Sequence, residues 1–498
     1  METLAEPDNS RFPAAIYADT VLSINFRDSQ ERFLDSLIEI QYAHTLMLAR
    51  QGIISEETAR NCVRGLNALD RAELASAPYD GKTEDLFFHV EGALERLCGK
   101  STGGSMHTAR SRNDLAVTQY RMCLRSGILA IVRSLNTAQR ALIGLAREHV
   151  STLMPAYTHT QPAQPITLTH YLLAVVELLG RDERRLQAAY ATVNRCPMGA
   201  CAISTTGFPI DREFTASLLG FEGLQLNSYG AIAATDYLTE TAGAIMTAML
   251  NLGRVTQDFL LWCTAEFGYL RLSNAWVQIS SIMPQKRNPV PFEHVRVLAG
   301  KALGQAQGIF TCLHNTPFGD INDAEDDLQP LVFGATTDAV RALELFAGVL
   351  GGCEVNTVRM AERAAADFLT VTEVADTLVR REGVSFREAH HLVSASVREL
   401  RGNYSAQAMI EAVEALAPLH FGRALNTSRE ELLEALDPWH FVAIRRAPGG
   451  PAPEAIRPAL NLAEADLAET EKWIQEKSAA LAAYPHFVKS VCSRLLAE

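Results

Sequence analysis

Residues 280–289 read SSIMPQKRNP. Two adjacent serines are followed by two apolar residues, two cations, an asparagine and two prolines. Nothing in the string favours a strand or a helix interior. Asn288-Pro289 reads as a helix start, a capping residue followed by proline in the first turn. Lys286 and Asn288 then stand at the positive end of a helix dipole, with Ser280 and Ser281 a few residues upstream. A plain turn needs neither the cation nor the serine pair, so the string reads as a functional loop. The chain has no GxSxG elbow and no histidine follows in a hydrolase arrangement, which argues against a serine hydrolase.

Two further loops carry groups that could do chemistry. HTARSRND, residues 107–114, places Ser111, Arg112 and Asn113 just before a long helical pattern. Asn113 or Asp114 is the expected N-cap. A helix N-terminus with free N–H groups and a forked guanidinium beside it makes an anion site; the plainer alternative is a cap with two solvated arginines. AYTHTQPAQP, residues 156–165, sets Thr158 and His159 in a rigid turn ahead of Pro162 and Pro165. A histidine in a fixed loop can move protons near neutral pH; equally it can be structural.

Long helices must position these loops. No proline occurs in 80–154, 210–283 or 331–417, and such spans favour helices. Leu124, Ile128, Ile131, Leu135, Ala138, Leu142 and Leu145 alternate spacings of four and three, a coiled-coil-like seam. Arg133, Arg140 and Arg147 lie off it. Further helical patterns cover about 166–193, 230–269, 290–312 and 329–353. The 230–269 pattern is apolar nearly all round, which favours burial against other subunits. Strand alternation is nearly absent, so the expected class is all-α with a central bundle of long helices. RRAPGGPAPEAIRP, residues 445–458, is expected to be a loop inside a smaller C-terminal helical domain.

Composition narrows the function. The 498 residues are too many for one ordinary core and imply about two to three domains. The net charge of −13 argues against a nucleic-acid or anionic-membrane surface, but not against a local pocket for a small anion. No window approaches about 18 apolar residues, so no membrane span is expected. The start METLAEPDNSRFPAA lacks the pattern of a secretory leader, and a cytoplasmic location is the default expectation. The nine cysteines have irregular spacing and no CxxC, which reads as reduced thiols rather than disulfides or zinc.

SSIMPQKRNP resembles GSSxMPxKxNP, the signature of the fumarase/aspartase superfamily. Together HTARSRND, YTHTQPAQP, FPIDREFTASLLGF and VADTLVRREGVSFREAHHLV are similar to the argininosuccinate lyase branch, in order, from about residue 15 to 460. The resemblance implies three helical domains, 1–111, 112–362 and 363–498, the second being the tetramerisation bundle. It implies a homotetramer with each active site built from three subunits. The reaction it implies is reversible elimination of fumarate from a substituted succinate, with no metal or organic cofactor. By the same resemblance Ser281 is the catalytic base, and Lys286 and Asn288 bind a substrate carboxylate, with Ser280 and Met283 on the same loop. Ser111, Arg112 and Asn113 form one substrate-binding loop, Thr158 and His159 another, and Glu293 pairs with the histidine.

The chain also departs from that branch. Ile279 replaces the glycine before the serine pair, and Pro162 replaces an arginine. EIQYAHTLMLARQG lacks the branch's glycine-serine pair. In FGDINDAEDDLQPLVF, the branch's tyrosine, glutamine and lysine facing substrate become Asp320, Glu325 and Leu328. The fumarate half is kept and the amine half is rewritten, a combination similar to the ethylenediamine-N,N′-disuccinate (EDDS) lyases. The expected substrates are therefore fumarate and a compact cationic amine; argininosuccinate is the alternative. A catalytically silent protein like the lens crystallins of the superfamily is the reading from another class, and the intact Ser281 and His159 argue against it.

Overall fold

The computed structural model describes residues 12–497. The reading of the N-terminal stretch as leader-free rests mainly on residues 1–11, which lie outside them. The architecture is all-α. The long helices are α1 Ser23–Arg50, α2 Leu86–Cys98, α3 Arg112–Glu148, α4 Leu168–Val193, α5 Asp236–Trp262, α6 Val290–Leu313 and α7 Gln329–Leu350. Helices α3 to α7 pack into one bundle. Leu124, Ile128, Ile131, Leu135, Ala138 and Leu142 lie in its core, and Leu145 is partly buried against it. Each fully buried Leu or Ile contributes roughly 1.5–3 kcal/mol of transfer free energy, so the seam fixes how α3 sits in the bundle.

The helix starts are those the chemistry allows, with two corrections. Ser111, not Asn113 or Asp114, is the N-cap of α3: its hydroxyl accepts from the Asn113 N–H while Asp114 accepts from the Ser111 N–H. The sequence Ser-x-x-Asp carries that capping box. Helix α6 begins at Val290, with Pro289 at the cap and a second proline, Pro291, in the first turn. Asn288 lies one step earlier, in a strand. Both prolines cost nothing there, because the first N–H groups of a helix have no internal partner.

Short hairpins carry two of the three loops. β1 Leu153–Thr158 pairs antiparallel with β2 Gln161–Thr167, and β3 Gln278–Ile279 pairs with β4 Arg287–Asn288. The SSIMPQKRNP string is therefore a hairpin loop closing on a strand, where no strand was expected.

Four C-terminal helices, α8 Val371–Glu382, α9 Phe386–Glu399, α10 Ala406–Phe421 and α11 Arg429–Leu436, enclose a separate small core. The chain then leaves that unit. Only the first part of the 445–458 stretch is loop; Pro453 opens α12, Pro453–Ala497, a helix of 45 residues. It lies along α3 and α4, with Ile456, Leu460, Leu467 and Ile474 in the bundle core. The off-seam arginines of α3 receive it: Arg140 pairs with Glu471 at 2.9 Å, Arg147 donates to Glu464 at 2.6 Å, and Arg133 donates to Ser478 at 3.0 Å. Proline spacing hid this helix, because it carries Pro458 and Pro485 in its own length.

All nine cysteines are free thiols. Among the described residues no helix is long and apolar enough to cross a membrane, and no group of three or more His, Cys, Asp or Glu side chains could hold a metal ion.

Candidate active site

The first loop caps α3 and is firmly held. Arg110, solvated on the plainer of the two readings, is buried and donates to Gln41 at 2.7 Å and Glu91 at 3.2 Å. Asp114 is buried and accepts from the Gly199 and Cys201 N–H groups, each at 2.9 Å. Burial pushes its carboxyl up to about 6 even against those hydrogen bonds. The loop is thus tied to the 199–201 turn, and Arg112 and Asn113 line a cavity.

That cavity, of about 220 Å³, is lined by Arg112, Asn113 and Tyr120 together with Glu84, Asp85, Asp320, Glu325, Asp326 and Asp327. Arg112 is the only cation among the described lining residues, and it is already committed: it pairs with Asp85 at 2.8 Å and Glu84 at 3.2 Å, over the Phe88 ring. Asn113 donates to Asp320 at 2.6 Å and to the Ala202 carbonyl at 3.2 Å. Tyr120 donates to Asp326 at 2.7 Å. Carboxylates gathered in one half-buried cavity disfavour one another's ionised form. Burial, and then the Asp320 and Asp326 charges, push the Glu325 carboxyl up to about 7. Burial likewise raises Asp320 and Asp326. Asp320 and Glu325 were legible in the sequence as departures; Asp326, Tyr120, Glu84 and Asp85 were not singled out, although the run AEDD was a signal.

The second loop is the tip of the β1–β2 hairpin. Thr158 pairs with Gln161, leaving His159 and Thr160 as a two-residue turn with φ of 51° and 63°. Two positive φ values are what such a tight turn demands. Glycine or asparagine usually supplies them; a β-branched threonine there stores strain of order 1–3 kcal/mol. Thr158 and His159 are exposed. No hydrogen bond or ion pair joins the His159 ring to Glu293 within the protomer, and Glu293 is exposed in the first turn of α6.

The third loop separates the two serines. The Ser280 hydroxyl accepts from the Ile282 and Met283 N–H groups at 3.3 and 3.0 Å, and the Met283 carbonyl accepts from the Lys286 N–H at 3.0 Å. Ser280 therefore shapes the turn. Ser281, Met283 and Lys286 are exposed, and the Ser281 hydroxyl makes no hydrogen bond among the described residues. Asn288 pairs with Gln278, and Arg287 clamps the loop base through Asn274 at 2.8 Å and the Leu272 carbonyl at 2.7 Å.

One protomer does not bring the three loops together. The first loop opens α3 and the hairpin follows its far end, 37 residues on, a rise of roughly 55 Å. Tyr157 of the hairpin meets Tyr269 at 2.7 Å, close in sequence to the Leu272 carbonyl that holds Arg287. The second and third loops thus share the end of the bundle remote from Asn113.

The chain matches the lyase family over residues 23–304 and the argininosuccinate lyase C-terminal family over 368–443. Argininosuccinate lyase 2 of Agrobacterium fabrum is 42% identical over 461 residues, 91% of each chain. Argininosuccinate lyase 1 of Shouchella clausii is 36% identical over 485 residues, 97% of each. Among solved structures, an EDDS lyase variant with bound fumarate is 33% identical, with a TM-score of 0.87 over 94% of this chain and 92% of that one.

Proposed function

From the premise that this chain belongs to the argininosuccinate lyase branch of the fumarase/aspartase superfamily, and is a fumarate-forming carbon–nitrogen lyase, we propose that it splits an N-substituted aspartate whose leaving amine is compact and cationic. Ethylenediamine is the reference amine. The observation that carries this is the carboxylate-rich cavity beside Asn113, whose one cation, Arg112, is already neutralised by Glu84 and Asp85. Such walls favour a positive amine over a leaving group that brings a further carboxylate of its own. The second aspartyl half of ethylenediamine disuccinate would have to extend beyond this cavity.

The chemistry follows from what elimination requires. The proton removed lies on the carbon next to a carboxylate and is very weakly acidic. Its loss leaves a dianionic aci-carboxylate, which needs preorganised donors. Ser281 is the base: its hydroxyl is uncommitted, whereas Ser280 is used by the turn. A serine at its ordinary pKa is a poor base, so nearby positive charge and backbone N–H groups must stabilise the alkoxide. Lys286, Asn288 and the α6 N-terminus supply these, with Met283 against the substrate. Ser111, Arg112 and Asn113 from one copy and Thr158 and His159 from another complete the dicarboxylate site, and Glu293 orients His159 across a subunit boundary.

A homotetramer is the assembly that satisfies this. Separation of the loops within one protomer demands other copies, and α5 and α6 offer a face for them. Leu250 and Leu261 of α5 and Val297 and Phe310 of α6 remain exposed. Exposed apolar residues aligned on two bundle helices are the signature of a buried subunit contact.

Argininosuccinate is the second reading, favoured by the relatives that carry that name. Against it stands Leu328, buried where the branch has a lysine. Following fumarate absorbance with purified protein and either ethylenediamine or arginine decides between them.

A further inference from the structure

Asp320 stands in a stretch with little backbone support. Helix α6 ends at Leu313, and the next regular turn, Asn322–Ala324, starts only after Asp320. Among the described residues, no N–H or C=O of residues 317–320 makes a backbone–backbone hydrogen bond. Phe318 and Asp320 are exposed. A segment held this lightly opens locally at low cost, and the Asp320 carboxylate would then leave the cavity wall.

Two side chains from elsewhere in the fold hold it. Asn113 donates to Asp320 at 2.6 Å. Tyr229 donates its hydroxyl to the Phe318 carbonyl at 2.9 Å, and its ring lies against the Phe318 ring with centroids 5.7 Å apart. A hydrogen bond to the backbone and a ring contact to the same residue fix both the place and the direction of the chain two residues before Asp320.

Tyr229 has a firm base. It sits on the short helix Ser228–Ala233, whose N-cap Asn227 accepts from the Gly230 N–H at 3.0 Å. Ala231 and Ile232 of that helix are buried with Ala200. Ala200 belongs to the turn whose Gly199 and Cys201 N–H groups hold Asp114. Arg212 ties that turn to the approach of the helix, donating to the Met198, Leu226 and Gln225 carbonyls at 3.0, 3.0 and 2.9 Å. Asn113 and Tyr229 therefore grip the Asp320 segment from one connected support.

We infer that Tyr229 is a positioning residue for the leaving amine: by holding Phe318 it keeps the Asp320 carboxylate in the cavity, where it meets the amine. This rests on the reading of the cavity as the amine site. Fumarate binding should not depend on Tyr229. If Asp320 moves, the Asn113 side chain still donates to the Ala202 carbonyl at 3.2 Å and accepts from the Ser111 hydroxyl at 3.1 Å.

The test uses Tyr229→Phe, which loses the hydroxyl and keeps the ring, and Tyr229→Leu, which loses both. With fumarate and ethylenediamine, KM for the amine should rise about threefold in the first and about tenfold in the second, the scale of one hydrogen bond and then of the whole contact. The fumarate dissociation constant, from titration calorimetry, should stay within about twofold of wild type. In an Asp320→Asn background the same substitutions should change the amine KM by less than about twofold, because the charge they position is gone. Full additivity in that background would overturn the inference. So would an unchanged amine KM in Tyr229→Leu, or in Tyr229→Phe if the leucine variant does not fold. An equal loss of fumarate affinity would also overturn it and make Tyr229 a support of the first loop. If the wild-type protein adds arginine and not ethylenediamine, the proposed amine is wrong, and the same cycle run with arginine decides whether Tyr229 acts through Asp320. If it adds neither, the amine reading falls and takes the inference with it.

Discussion

Asn113 donates its side-chain amide to the Asp320 carboxylate at 2.6 Å. This bond joins the loop that the family uses for dicarboxylate to the segment in which this chain departs from the family. If Asn113 binds fumarate and Asp320 reads the amine, as proposed, the two roles are adjacent in one protomer, and each should be separable by mutation.

Asp320→Asn keeps a hydrogen-bonding side chain and removes the charge. It should raise KM for ethylenediamine about tenfold, corresponding to ~1.4 kcal/mol, while leaving the fumarate dissociation constant unchanged. Steady-state kinetics with fumarate titration checks both. A matching loss of fumarate binding would mean that Asp320 holds Asn113 in place and does not read the amine.

Ser281→Ala should abolish most turnover with fold and assembly intact, because an exposed hydroxyl without a hydrogen bond contributes little to stability. Retention of more than about a tenth of the rate, a loss of only ~1.4 kcal/mol, would place the base elsewhere. Arg112→Met and Asn288→Ala should each weaken fumarate binding by roughly 1.5–3 kcal/mol, the worth of a charge-assisted hydrogen bond. For Arg112 the loss also frees Glu84 and Asp85, so its effect should be the larger.

The distance between the loops in one protomer gives a mixing test. Inactive Ser281→Ala and inactive Asn113→Ala proteins, denatured together and refolded, should regain part of the wild-type activity, because some sites then draw all their loops from unmutated positions. Activity in the mixture no greater than in either parent would show that one protomer supplies a whole site.

The small C-terminal unit has its own acid-sensitive clasp. Burial alone would raise the Glu382 carboxyl, but hydrogen bonds from Thr427, Arg423 and Asn426 outweigh it and hold the group at about 2. A folded-state pKa below the unfolded value stabilises at high pH. The contribution is complete above about 4.5 and is lost as pH falls toward 2. Thermal melts across that range should show the loss, and Glu382→Gln should flatten it; an unchanged slope in the variant would dismiss the clasp.

Much of this was readable before any coordinates. The seam from Leu124 to Leu142 declared α3 because apolar spacing reports burial directly. SSIMPQKRNP stood out through residues that a plain turn does not need, whereas HTARSRND also read as a simple cap and AYTHTQPAQP as a turn with a structural histidine. The sequence could not show that Ser111 rather than Asn113 caps α3 without weighing the Ser-x-x-Asp box, nor that two prolines fit inside α12, where packing along α3 overrides their helix-breaking tendency. Nor could it show that Arg112 is spent on Glu84 and Asp85, since that pairing joins α3 to a segment nearly thirty residues earlier. The acidity of the cavity emerges only when α2's start, α3 and the 320–327 turns are brought together.

The amine preference is the central claim, and kcat/KM for adding ethylenediamine and arginine to fumarate measures it directly. The carboxylate walls around Asn113 and the loss of the branch's lysine at Leu328 predict that ethylenediamine is preferred by at least about a hundredfold, since unpaired groups in a site cost specificity by orders of magnitude. A clear preference for arginine would contradict the account and assign the protein to argininosuccinate cleavage.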